Sequence, residues 1–425
     1  MRRTLSIAIL TLALPGLALA AVRPEPPNPG DDELLQMARA IPGFGGLFYD
    51  AEGYPNVYLR DPAAPAALSA LKSLGSTALN GELRVRQGDY DFAQLVEWKR
   101  ALRPALLGRP GVVFLDADEA SNRIVVGLDA AGAKSLATDA LGLEKALAAQ
   151  GVPSGAVVYR DSPAFHDLAG VQTGEKRGAP TVTIQDAIRP APGGVQMIFL
   201  QLPFAFFCTS SFNAYLGGAY GFVTNSHCTD NRGQVDGTQY AQGNDPFGAV
   251  VATEIADPAY FTGSPCPAGN KCRYSDSSFA QYNGNSTKLG SFRFLAHPSA
   301  RGPFEGSITL RPAGSRFTIA GTGTAAQGQI VNKIGVTTGW TYGQVVATCA
   351  DVNITGTTYT LLCQTIVTAG ADHGDSGSPV FSWTKGNSVT LLGILWGGGI
   401  SNGQTVFAYS PFASVQEELG ALRIR

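Results

Sequence analysis

From residue 188 onward, apolar residues come in short runs broken by Gly, Asn, Ser and Pro. Gln196–Leu202, Ala219–Thr224, Arg316–Ala320, Gln344–Thr348, Leu361–Val367, Val389–Leu395 and Gln404–Ala408 have the length and residue types of β-strands. Near the end the period changes, and from Pro411 the apolar residues Val415, Leu419 and Leu422 recur at helical spacing. The pattern predicts an all-β body closed by a C-terminal helix.

The first half alternates between the two periods. Glu82–Gln87 reads as a half-buried strand, and Asp91 as the N-cap of a helix through Leu95, Val96, Trp98, Leu102 and Leu106. Val112–Asp116 and Arg123–Leu128 form a hairpin across the polar 117–122 segment. Ala130–Gln150 is helical, and Ala156–Arg160 is a last strand. This β-α-β-β-α-β order is that of a split βαβ unit, preceded by two predicted helices, Asp32–Ile41 and Ala63–Leu74. It contains no catalytic constellation, so an unrelated accessory domain is one reading of it.

Charge divides the chain at the same place. Residues 22–187 carry 16 Lys/Arg and 21 Asp/Glu, whereas the longer 188–425 stretch carries 13 and 12, together with all six cysteines. Two domains are therefore expected, one over 21–161 and one over 188–425, joined by an exposed link over 162–187 that includes Lys176-Arg177. A net charge of −2 gives no reason to expect a nucleic-acid partner.

Residues 1–20 have the layout of a secretory signal peptide: basic Arg2-Arg3, an apolar run over Leu5–Leu14, and a small-x-small site at Ala18-Leu19-Ala20. A membrane anchor is the alternative, but Pro15-Gly16 interrupts the run, and no later stretch reaches the about 20 apolar residues of a span. Export, extracellular or periplasmic, suits the even cysteine count, since disulfides persist in oxidising compartments. Without paired CxxC or HExxH motifs, no metal is expected.

Two motifs carry chemistry. Gly374-Asp375-Ser376-Gly377-Ser378-Pro379 sets a serine in a glycine-flanked turn, and Thr224-Asn225-Ser226-His227-Cys228 offers an imidazole. A serine hydroxyl becomes a useful nucleophile only when a base removes its proton. A satisfied core histidine is the bland alternative for His227, yet His166 in a polar stretch, His297 before a proline and His373 in the serine's own loop fit the role less well. Asp276, entering the apolar Ser278-Phe279-Ala280, is the leading third member; Asp257 and Asp245, each before a proline, are its rivals.

In this order the motifs resemble the signature blocks of chymotrypsin-like (trypsin-like) serine proteases over roughly residues 190–425. Val331–Trp340 is similar to a family block that opens the second barrel. The resemblance implies a double six-stranded β-barrel with a C-terminal helix, and a serine endopeptidase without cofactor. Ser376 would be the nucleophile, His227 the base and Asp276 its orienter. The backbone N–H groups of Gly374 and Ser376 would form the oxyanion hole. Cys208–Cys228 and Cys349–Cys363 would match family bridges within a nearest-neighbour pairing that leaves Cys266 with Cys272. Bacterial members such as α-lytic protease carry N-terminal pro-domains, which implies the same role for 21–161, with the pro-region and protein or peptide substrates as partners of a monomer.

The resemblance also places the substrate pocket at Gly370, Ala371, Asp372 and His373, facing Leu395, Trp396, Gly397 and Gly398. Asp372 falls two positions late for a trypsin-type pocket base, and Leu395 replaces the usual serine, so strict Arg/Lys preference is not expected. Ile188-Arg189-Pro190 does not match a trypsin-type activation terminus, and Asp375 is expected to find an internal basic partner or to need none. An α/β-hydrolase esterase would require Gly where Ser378 stands. The remaining alternative is an inactive secreted binding module of protease fold.

Overall fold

A computed structural model describes residues 29–78, 83–172, 181–243, 245, 247–312, 315–401 and 403–424. The signal-peptide segment and Lys176-Arg177 lie outside them. The molecule is mostly β, and no described helix is long and apolar enough to cross a membrane.

Two large sheets carry the region from Ala191 onward. One has nine strands, with Ala219–Thr224 and Ser278–Tyr282 adjacent near its middle; the other has fifteen and contains Ile330–Gly335, Gly339–Asn353, Pro379–Ser382 and Ser388–Ser401. The predicted runs fall on strands, several of them longer than the apolar run. Gln344–Thr348, for example, is the centre of the fifteen-residue strand Gly339–Asn353. Aromatic side chains fill the main core, among them Phe222, Tyr240, Phe279, Phe317, Trp340 and Phe381.

The closing helix, Phe412–Leu419, is shorter than its apolar spacing predicts. Gly420 ends it at φ 98°, a left-handed conformation that glycine tolerates without a Cβ penalty. Leu422 therefore belongs to a short edge strand, Leu422–Arg423, paired with Tyr215 and Leu216.

In the N-terminal half the predicted order of elements is present, but the split βαβ sheet is not. Arg84–Gln87 pairs in parallel with Pro55–Leu59, in a separate three-stranded sheet completed by Phe44–Tyr49. Val112–Asp118, Arg123–Leu128 and Val157–Asp161 instead extend the fifteen-stranded sheet, because Val112–Asp118 pairs with Gly339–Asn353 (Leu115 with Asp351, Phe114 with Val352). The predicted long helix divides into Ala130–Thr138 and Ala140–Ala149 at Asp139, whose backbone leaves helical geometry (φ −122°, ψ 32°). This half has its own apolar core around Leu59, Phe92, Leu95, Leu102, Leu115 and Ile124. A smaller cluster spans the two halves, joining Phe114 and Val125 to Val352 and Trp396.

Within the predicted link, the described residues 162–172 include buried positions and short strands. Phe165 is fully buried and Leu168 is 6% exposed. His166–Asp167 and Gly170–Val171 are short strands, each paired to one of the two large sheets.

Candidate active site

His227 and Asp276 meet through strand register. Thr224, at the end of Ala219–Thr224, lies opposite Ser278, at the start of Ser278–Tyr282. The residues just beyond Thr224 and just before Ser278 must therefore be neighbours. Asn225 closes this corner, its Nδ2 donating to the Asp276 carbonyl (2.6 Å) while its own carbonyl accepts from Ser278 Oγ (3.0 Å). A one-turn helix, Ser226–Cys228, then carries His227, and a disulfide ties Cys228 to Cys208.

Ser376 arrives from the other sheet, just ahead of strand Pro379–Ser382. Thr209 fixes its turn, donating from N to the Ser376 carbonyl (2.7 Å) and from Oγ1 to the Gly374 carbonyl (2.9 Å). Gly374 has φ 103°, and a Cβ there would lie 2.2 Å from the Phe207 ring, so both conformation and space require glycine. Beneath the turn, Asp375 is fully buried and paired with Lys333 Nζ at 3.0 Å. Its other oxygen accepts from the N–H groups of Thr337 (2.9 Å) and Thr338 (3.2 Å). The cation for Asp375 is thus an internal lysine. Burial lowers the Lys333 pKa, against the pull of Asp375.

The three side chains form one hydrogen-bonded line. His227 Nε2 lies 2.7 Å from Ser376 Oγ, and His227 Nδ1 is hydrogen-bonded to Asp276 Oδ2. Burial alone would raise the Asp276 pKa, but the nearby His227, Arg232 and Arg273 reverse this and hold it well below the usual carboxylate range. A carboxylate at Asp276 makes Nδ1 the protonated nitrogen and leaves Nε2 free to accept the serine proton. Tyr260 donates to the other oxygen, Oδ1, at 3.3 Å. Glu418, on the closing helix, grips the loop from behind by accepting from the N–H groups of Tyr274 (2.8 Å) and Ser275 (3.0 Å).

The rival aspartates lie elsewhere. Asp257 is buried under the histidine turn, accepting from Ser226 Oγ and Arg273 Nη1 (both 2.8 Å), and burial pushes it up to about 6 despite Arg273. Asp245 is exposed and accepts from the Phe247 N–H within its own turn.

Among the residues assigned to the pocket, Gly397 and Gly398 pair with Asp167 and His166, and Leu395 is buried in an apolar cluster that includes Leu168. Trp396 is fully buried, donating from Nε1 to Gln364 Oε1 (2.9 Å), while its carbonyl faces Ser376 Oγ (3.2 Å). The Gly370 carbonyl is tied to Thr341 Oγ1 (2.8 Å), and Ala371 packs at the edge of the Leu168 cluster. Asp372 and His373 are exposed, so the Asp372 carboxylate is not a buried pocket base. The Gly374 N–H donates to the Leu168 carbonyl at 2.5 Å; among the described bonds, the Ser376 N–H makes none to that oxygen.

Sequence reasoning missed Arg232, Tyr260 and Lys333. Arg232 pairs with Asp167 (2.5 Å) and faces Asp276, so it supplies positive charge beside the hydrogen-bonded line. Asp167, His227 and Asp276 offer ligand atoms within 4.8 Å of one another; His227 Nδ1 and Asp276 Oδ2 bond each other, and Asp167 Oδ2 bonds Arg232. The three disulfides follow nearest-neighbour pairing: Cys208–Cys228, Cys266–Cys272 and Cys349–Cys363.

Solved bacterial chymotrypsin-like serine proteases are similar to this structure. One is a glutamic acid-specific serine protease, 23% identical, covering 55% of this chain and 99% of its own, with a TM-score of 0.38. The Nocardiopsis protease NAPase is also 23% identical, with the same 55% of this chain, 98% of its own, and a TM-score of 0.38. Thermobifida fusca Protease A is 21% identical over 55% of this chain and 97% of its own, again with a TM-score of 0.38. No protein-family model matches the chain, and neither does any curated protein.

Proposed function

We propose that the chain is a secreted serine endopeptidase of double-barrel, chymotrypsin-like design, made as a pro-enzyme whose 21–161 region is the pro-domain. One observation carries the reading: a buried carboxylate, an imidazole and a serine hydroxyl stand in line, with Ser376 Oγ 2.7 Å from His227 Nε2. In that arrangement Ser376 attacks a peptide carbonyl while His227 takes its proton and later delivers it to the leaving amine. Asp276 keeps the ring in the required tautomer and stabilises the imidazolium. The N–H of Gly374 offers charge stabilisation to the oxyanion, an interaction worth about 3–4 kcal/mol per donor in comparable sites.

The test is labelling of processed protein with an active-serine fluorophosphonate. Wild type should label at Ser376, and Ser376→Ala should abolish labelling and lower peptide turnover by on the order of 10⁶. A folded, processed protein that never labels and cleaves no peptide would instead be the binding module that the sequence left open.

A further inference from the structure

One stretch of the chain already lies across the serine. On one side of Ser376, His166 and Asp167 pair antiparallel with Gly398 and Gly397. On the other, Gly170 and Val171 pair antiparallel with Phe207 and Phe206, and Gln172 N–H donates to the Ala205 carbonyl (2.8 Å). The strand is thus held by both sheets, with Leu168 and Ala169 between the two pairings. The Leu168 carbonyl accepts from the Gly374 N–H (2.5 Å), and its N–H reaches Ser376 Oγ (3.0 Å). His373 Nδ1 stands 3.1 Å from the Ala169 carbonyl, anchoring the far side.

We propose that this enzyme's first substrate is its own Leu168–Ala169 bond, and that its primary pocket selects leucine-sized aliphatic residues. The inference rests on the endopeptidase reading and adds the bond and the side chain. Direction along the chain decides the bond. The carbonyl held by Gly374 belongs to Leu168, so the nitrogen on its far side, that of Ala169, is the leaving group.

Chemistry chooses the side chain. Leu168 shares an apolar cluster with Val367, Ala369, Leu395 and Phe407, while Asp372 and His373 line the cleft beside it with their side chains exposed. Gly398 forms a wall, where even a Cβ would stand 3.2 Å from Leu168 Cδ1. A charged side chain packed among those apolar groups would lose its hydration, whereas an aliphatic one gains burial.

In the reaction, Ser376 Oγ bonds to the Leu168 carbonyl carbon as its proton passes to His227 Nε2. The carbonyl π pair moves to oxygen beside the Gly374 N–H. Collapse breaks the Leu168–Ala169 bond, and His227 returns the proton to the amine of Ala169. Solvent water then adds to the ester, gives a proton through His227 back to Ser376, and releases Leu168 as a carboxylate.

Two measurements test this. The full chain is produced as wild type and as Ser376→Ala, and the N-terminus of each fragment is read by sequencing. Wild type should yield a fragment beginning at Ala169, while Ser376→Ala should keep that bond intact. Because substitution of buried Leu168 could disturb folding, specificity is read with wild-type processed enzyme and a synthetic peptide of residues 163–173. The peptide should be cut after Leu168, and its Leu168→Asp and Leu168→Lys versions should fall by on the order of 100-fold in kcat/KM. A fragment that begins elsewhere, such as Gly178 after Lys176-Arg177, overturns the proposal. So does a peptide cut at another bond, or a lysine version cut equally well. If the enzyme labels with fluorophosphonate in those cases, the endopeptidase reading survives. Absence of both labelling and cleavage removes the two together.

Discussion

Buried charge is arranged in two ways in this molecule. Around the serine each of these acids has a cationic partner: Lys333 pairs with Asp375, and Arg273 with both Asp257 and Glu418. Where the N-terminal half meets the second sheet, acids are in excess. Lys99 lies 3.9 Å from Asp31 and 4.0 Å from Asp351, and Arg103 lies 2.7 Å from Asp351. Asp116 and Glu119 are buried beside them without an ion pair among the described residues, and neither oxygen of Asp116 has a hydrogen-bond partner there. Burial, then neighbouring carboxyls, pushes both well above the usual carboxylate range. A cationic partner favours the charged carboxylate, whereas an acid buried without one favours its protonated form.

The largest effect should come from breaking the matched network. Lys333→Met leaves Asp375 buried without its cation, and loss of one partner from such a pair costs about 3–5 kcal/mol. Denaturant unfolding of the processed enzyme should show that loss, together with loss of fluorophosphonate labelling. Adding Asp375→Asn should restore part of the stability. If Lys333→Met were neutral, the matched arrangement would not be what holds the serine turn.

Lys333 also shows what the sequence could and could not convey. The stretch that carries it was visible only as part of the family-like block Val331–Trp340, and the expectation that Asp375 has an internal basic partner or needs none left room for a lysine. Which lysine it is depends on register, because strand Ile330–Gly335 pairs with Pro379–Ser382 and so lies under the turn. The pair His227 and Ser376 was legible because each stands in a dense local motif. Asp276 was separable from Asp257 only by the strand that follows it, and the structure separates them by pairing Thr224 with Ser278. Residues 166–171 gave no signal. They are too short for a period, and they are extended only because two sheets offer them edges.

On the acidic side, Arg103→Met should weaken the contact by about 2 kcal/mol, since a charged hydrogen bond to Asp351 is lost while Lys99 stays near. Hydrogen exchange at Phe114 and Leu115, in the full chain carrying Ser376→Ala, should speed up by on the order of 30-fold. Unchanged exchange would mean that the strand pairing holds without the ion pair.

The excess acids give a pH dependence of fixed sign. Their pKa is higher in the folded chain than in the unfolded one, so their contribution is fully present below the unfolded value of about 4. It is lost as pH rises from there through the raised folded value. Asp351 and Asp276, held low instead, contribute above the unfolded value and lose that contribution in more acidic solution. Protection of Phe114 and Leu115 in the Ser376→Ala chain should therefore fall as pH rises above about 4, by about 1.4 kcal/mol per pH unit for each proton released. Glu119→Gln should flatten that slope while its Oε1 contact with Thr348 is kept. A slope of the opposite sign would show that the matched pairs, and not the surplus acids, control the contact.

The smallest effect separates orientation from charge within the site itself. Tyr260 donates to Asp276 Oδ1 over 3.3 Å, while His227 takes Oδ2. Burial, and then the Asp276 charge, raise the Tyr260 pKa, so its hydroxyl keeps the proton it donates. Tyr260→Phe removes one hydrogen bond and leaves the carboxylate paired with His227 and faced by Arg232. The expected cost is about 1 kcal/mol, or a fall in kcat of roughly fivefold with KM little changed. A fall of several hundredfold would make Tyr260 part of the charge network and would blur the contrast between a site held by paired ions and one trimmed by neutral donors.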